Sequence, residues 1–76
     1  MNHELATIIE IIVDVTDIPS EDIKPESSLI DDLDLSSIEI VAIISKLEIR
    51  YRIKVNEDDL LSVETVEDIL RLVTDN

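Results

Sequence analysis

Ser36 and Ser37 stand side by side in the stretch DDLDLSSIEIV, residues 31–41, where an acidic segment gives way to a β-branched run. Folding needs only one of them. Ser36-Ser37-Ile38-Glu39 is a capping box, in which the Ser36 hydroxyl accepts from the Glu39 amide and the Glu39 carboxylate reaches back to the Ser36 amide. Such a cap contributes about 1 kcal/mol to helix stability. Ser37 then falls at the first helical position, pointing outward with no capping bond. Taken alone it is a solvated surface serine. Its position nevertheless has chemical value, because a helix N-terminus presents unpaired amides and the positive end of the dipole. A phosphate esterified to a hydroxyl there is stabilised. Loop on one side and helix on the other leave that hydroxyl open to a modifying enzyme.

Other chemistry finds less support. Asp31, Asp32 and Asp34, or Glu57, Asp58 and Asp59, lack the alternation, central glycine and terminal glutamate of a calcium loop, so no metal site is expected. His3 is the sole histidine and has no evident partner for a Ser–His pair. Glycine is absent, which excludes the glycine-rich phosphate loops of the common nucleotide folds. Cysteine is absent too, so there is neither a disulfide nor a thiolate metal site.

The elements that must hold Ser37 can be read from hydrophobic spacing. Leu5, Ile8, Ile9 and Ile12 mark a first helix, capped by Asn2 and running to about Val15 or Thr16. Pro19 and Pro25 punctuate the long connection that follows, which its scattered Ile18, Ile23, Leu29, Leu33 and Leu35 should pin to the core. The second helix begins near Ser37. Its stripe Ile40, Ile43, Ile44, Leu47 and Tyr51 lies beside a second, Ile38, Val41, Ala42 and Ser45, which predicts a central helix packed on two sides. NEDDLL is one capped turn starting at Asn56, and Val66, Ile69, Leu70 and Val73 mark a last helix with Thr65 and Asp68 as a capping pair. The expected fold is all-α: a small four-helix bundle, three main helices plus one short helix, with a long loop between the first and second, as a single domain over residues 1–76.

Composition bounds the partners. Nineteen acids against six bases give a formal charge of −13, which repels nucleic acid and anionic membranes and draws the chain toward basic protein surfaces. No apolar stretch is long enough to span a bilayer, and MNHELATIIEII lacks the basic start of a signal peptide. A cytoplasmic monomer is expected, with an aliphatic core because aromatics make up only 1% of residues.

The stretch SLIDDLDLSSIEIVAIISKLEIRYRIKV resembles the central part of the acyl carrier proteins, in which an acidic Asp-Leu segment leads to Asp-Ser-Leu, an apolar helix ending in an aromatic, and a short hydrophobic pair. Here these are Asp31-Asp32-Leu33, Ser36-Ser37-Ile38, Tyr51, and Ile53 with Val55. The resemblance covers nearly the whole chain. It implies that Ser37 carries phosphopantetheine, transferred from coenzyme A by a phosphopantetheinyl transferase, and that the arm's thiol holds an acyl group as a thioester. The protein would then be a carrier, not an enzyme, serving acyl-loading, condensing and acyl-transfer enzymes of fatty acid, polyketide or related biosynthesis through their basic docking patches. Asp31, Asp32, Asp34, Ile38, Glu39 and Glu48 are the docking residues implied. Ile40, Ile44, Leu47, Ile53 and Ile69 are candidates for a pocket that sequesters the acyl chain, and for ordinary core. Three departures stand out: Ser36 replaces the usual Asp, Asp34 a common Gly, and Ala42 an exposed Glu. They favour a carrier dedicated to one pathway. The competing readings are a peptidyl or aminoacyl carrier and an unmodified acidic helical interaction module.

Overall fold

A computed structural model describes residues 3–75 and places them in four α-helices: α1 (His3–Thr16), α2 (Ser37–Tyr51), α3 (Glu57–Ser62) and α4 (Val66–Thr74). Asn2, the expected cap of α1, lies outside the described residues. The other caps are where local sequence puts them. The Asn56 Oδ1 accepts from the Asp59 amide at 2.8 Å, and Thr65 and Asp68 form a full capping box on α4.

Two helices end without the glycine that such ends favour. Asp17 follows α1 at φ 64° and Arg52 closes α2 at φ 54°, both left-handed. For a residue with a β-carbon that conformation costs about 1–2 kcal/mol. At the end of α2 the Glu48 carbonyl accepts from both the Arg52 and Ile53 amides, which offsets part of that cost.

The core is aliphatic. Ile8 and Ile12 of α1, Ile43, Ile44 and Leu47 of α2, and Val66, Ile69 and Val73 of α4 are buried. Ile23, Leu29, Leu33 and Leu35 of the long loop are buried with them, and Ile18 packs against the cluster. Those anchors, together with a short 3-10 turn at Ser20–Asp22, are why so long a connection is ordered.

Main-chain bonds then stitch the loop to the start of α4. The Leu29 amide donates to the Glu64 carbonyl, the Val66 amide to the Ser27 carbonyl and the Glu67 amide to the Pro25 carbonyl, around an isolated antiparallel bridge between Ser28 and Thr65. Loop carbonyls thus satisfy the amides that α4 would otherwise leave unpaired at its N-terminus.

One expectation is corrected. α2 is not packed on two sides: α1 is the helix that contacts both α2 and α4. α2 buries the Ile43–Ile44–Leu47 face, while Ile38 and Val41 remain 80% and 50% exposed, Ser45 is exposed and Ala42 only half-buried. The described residues build no further layer over the second stripe.

Candidate functional site

Leu33 and Leu35 set the approach to α2. Both are buried, and between them Asp34 turns back at φ 53° with its side chain exposed. The position is one where a β-carbon is unfavourable, which gives a physical reason for the glycine common there in the resembling proteins. Upstream, a tight turn is closed by Ser28. Its amide donates to Asp32 Oδ2 at 2.7 Å and its hydroxyl accepts from the Asp31 amide at 3.1 Å. Asp31 and Asp32 are both exposed.

At the helix start the two serines divide the work. Ser36 Oγ accepts from the Glu39 amide at 3.2 Å, and Glu39 Oε1 accepts from the Ser36 amide at 2.9 Å. Ser37 is exposed at the first helical position, and its hydroxyl makes no hydrogen bond among the described residues. The Ser37 and Ile38 amides make none there either, whereas the first amides of α4 are occupied by Ser27 and Pro25. One helix N-terminus is sealed; the one bearing Ser37 is open. An accessible hydroxyl beside unpaired amides at a positive helix end is a place where a phosphate ester is both formed and held.

The remaining expected residues divide into surface and interior. Ile38 projects beside Ser37. Glu48, expected on the docking face, is half-buried, and its Oε2 accepts from the Val55 amide at 2.8 Å and so fastens the segment after α2. Ile44, Leu47 and Ile69 are 5%, 1% and 0% exposed within the core, with half-buried Ile40 and Ile53 packed against it. None of the five lines either of two surface clefts, one of about 570 Å³ bounded by Asp59, Val63, Arg71 and Leu72, the other of about 420 Å³ bounded by Ile11, Asp14, Lys46 and Arg50. Among the described residues no three His, Asp or Glu side chains gather to hold a metal ion. Two features of the site carry no local sequence signal: the Glu48–Val55 bond and the stitching of the loop to α4. A third, the reversed backbone at Asp34, is marked by the glycine it replaces.

A small helical domain thus presents the Ser37 hydroxyl, exposed and without a partner among the described residues, at an open helix N-terminus. Comparison with known proteins shows the family. The family described as Phosphopantetheine attachment site matches residues 6–73. A meromycolate extension acyl carrier protein of Mycobacterium tuberculosis is 39% identical over 69 residues, covering 91% of this chain and 60% of that protein. The protein of the same name from Mycolicibacterium aurum is 36% identical over 69 residues, with 71% of its length covered. An acyl carrier protein of Chlamydia trachomatis is 33% identical over 66 residues, covering 87% of this chain and 86% of that one. The chain spans about 60% of the length of the mycobacterial relatives it matches. It belongs to the acyl carrier protein family, whose prosthetic group is covalently attached phosphopantetheine.

Proposed function

We propose that Ser37 is the attachment residue and that the protein carries acyl intermediates between the enzymes of one biosynthetic route. The observation that carries this reading is the contrast within one dipeptide. Ser36 Oγ is committed to the Glu39 amide, whereas the neighbouring Ser37 hydroxyl is exposed and without a partner among the described residues. The residues present fit the group. Ser37 Oγ would be the protein's oxygen in the phosphodiester, and the Ser37 and Ile38 amides at the same helix end are free to face a phosphate. Ser36 and Glu39 would hold the backbone beneath it fixed. When attached, the group supplies a terminal thiol on which an acyl chain rides as a thioester.

Cargo of the acyl class is favoured over aminoacyl cargo by the three relatives named above, each called an acyl carrier protein. Ile40 and Ile53, the half-buried pair at the margin of the core, are where an acyl chain would enter toward Ile44, Leu47 and Ile69. Asp31, Asp32 and Asp34 would draw a transferase or acyl-transfer enzyme with a basic patch to the site end of α2.

Co-expression with a broad-specificity phosphopantetheinyl transferase, followed by intact mass measurement, tests the reading. A gain of one phosphopantetheine group is expected, kept in Ser36→Ala and lost in Ser37→Ala. Absence of the gain would overturn it and leave an unmodified interaction module, and survival of the gain in Ser37→Ala would overturn Ser37 as the attachment residue.

A further inference from the structure

The turn that delivers the chain into α2 hangs on the dipeptide Ser28-Leu29. The Asp31 amide donates to the Ser28 hydroxyl at 3.1 Å, and the Asp32 and Leu33 amides to the Ser28 carbonyl at 3.0 Å each. The Leu35 amide donates to the Leu29 carbonyl at 2.9 Å. Leu35 immediately precedes the Ser36 cap, so this bonding runs up to the start of α2. Leu29, Leu33 and Leu35 are buried, and main-chain groups there must be paired within the fold.

Asp68 of α4 holds the same dipeptide from the other side. Its Oδ2 accepts from the Glu64 amide at 2.9 Å and from the Thr65 amide at 3.1 Å. Capping α4 accounts for the Thr65 amide but not for that of Glu64, which lies outside the helix. The Thr65 amide and the Glu64 carbonyl belong to one peptide group, and this carbonyl accepts from the Leu29 amide at 2.9 Å. The Leu29 amide and the Ser28 carbonyl are again one peptide group, the one that takes the Asp32 and Leu33 amides. A carboxylate, two peptide groups and the turn therefore stand in one file, with every N–H directed toward the charge. Hydrogen bonds so aligned polarise one another, and the first in the file is charge-assisted.

We propose that Asp68 is a positioning residue for the modification of Ser37, a role that rests on Ser37 as the attachment residue. Through peptide groups 64–65 and 28–29 its carboxylate holds the turn over residues 28–35 in the conformation that a phosphopantetheinyl transferase binds. In the step served, Ser37 Oγ bonds to the pantetheine-bearing phosphorus of coenzyme A. The P–O bond to the coenzyme's adenosine bisphosphate portion breaks, and the serine proton passes to solvent. Asp68 touches none of these atoms. Loosening the turn lowers the fraction of carrier competent to bind, which raises KM in inverse proportion and leaves kcat as it was.

The test is steady-state phosphopantetheinylation of the full chain by a broad-specificity phosphopantetheinyl transferase with coenzyme A, the carrier being the varied substrate. Asp68→Asn should raise KM about threefold with kcat unchanged, the mark of a competent fraction reduced to a third. Asp68→Glu keeps the charge and a capping-box side chain, and should restore the wild-type KM. Asn56→Ala removes a cap of the same kind from α3, outside this path, and should leave KM unchanged. Ser28→Ala loosens the turn from its other end with the α4 cap intact, and should raise KM as well. Amide exchange at Leu29 and Leu33 should quicken in Asp68→Asn and keep its wild-type rate in Asn56→Ala. Wild-type KM in Asp68→Asn or in Ser28→Ala, or an equal rise in Asn56→Ala, would each overturn the proposal. Intact mass of the wild type and of Ser37→Ala shows separately whether Ser37 takes the group, so failure of the attachment reading is seen before any KM is compared.

Discussion

Ser36 and Glu39 hold one another by two reciprocal hydrogen bonds, of 3.2 Å into the Ser36 hydroxyl and 2.9 Å into the Glu39 carboxylate. The pair is a closed unit, and Ser37 stands outside it. Ser36→Ala should therefore lower stability by about 1 kcal/mol, the usual loss of a cap. Ser37→Ala should change it by less than about 0.5 kcal/mol, as for a surface residue without partners. Ser36→Asp should restore wild-type stability, because a carboxylate caps as well as a hydroxyl. Urea unfolding of the four proteins checks the order; a Ser37→Ala loss as large as that of Ser36→Ala would mean that Ser37 is structural.

Arg52 and Asp34 are left-handed without being glycine, at φ 54° and 53°. Arg52→Gly removes a β-carbon clash of about 1–2 kcal/mol and adds back about 0.5–1 kcal/mol of chain entropy. A net gain between zero and about 1.5 kcal/mol is expected. Asp34→Gly should gain less, because aspartate tolerates this region better than arginine does. Arg52→Ala is the control and should gain nothing. Midpoints of denaturant unfolding rank the three, and a loss in Arg52→Gly would show that the arginine side chain contributes more than its backbone costs.

Features set by near neighbours were legible in the chain, and those set by distant ones were not. The caps Ser36, Asn56 and Thr65 are local, since each acts on an amide three residues on, and each is found in place. Ile43, Ile44 and Leu47 follow from helical period and are buried as expected. Ile38 and Val41 are just as apolar yet exposed, because burial depends on how many layers the chain can build, not on the residue alone. The bonds from Val66 and Glu67 to Ser27 and Pro25 join segments some forty residues apart, and nothing in either segment announces the other. At the site, the split between the two serines was legible because capping is a spacing rule. The commitment of Glu48 to Val55 was not, because it depends on the path the chain takes after the reversal at Arg52.

That commitment gives a third expectation. A carboxylate accepting an amide at 2.8 Å is a charge-assisted bond, of the order of 1.5–3 kcal/mol. Glu48 is half-buried, so the lower end applies, and Glu48→Ala should cost about 1.5 kcal/mol. Glu48→Gln keeps an acceptor and should lose less. In both variants the Val55 amide should exchange faster with solvent, while Ser37 modification continues. Unchanged Val55 exchange in Glu48→Ala would assign the residue to the docking surface alone.

Asp68 supplies the pH dependence. Its carboxylate is held below the usual aspartate range, first by the Glu64 amide donating to Oδ2 at 2.9 Å, with burial opposing and the Thr65 amide, the Thr65 hydroxyl and Arg71 adding to the lowering. A group more acidic in the folded state than in the unfolded one stabilises the fold when ionised. The contribution is complete above the unfolded value of about 3.9 and disappears as pH falls through the lowered folded value. Acidification also relieves the repulsion of a chain with formal charge −13, which would raise stability over the same range and hide the effect in the wild type alone. Repulsion among the other acids is nearly common to wild type and Asp68→Asn, so their difference isolates the carboxylate. At neutral pH the variant should be less stable by about 1 kcal/mol, the cost of a damaged cap. The gap should hold down to about pH 4 and close below it. A gap constant down to the acid limit would mean that the Asp68 charge plays no part, and that the cap acts through shape alone.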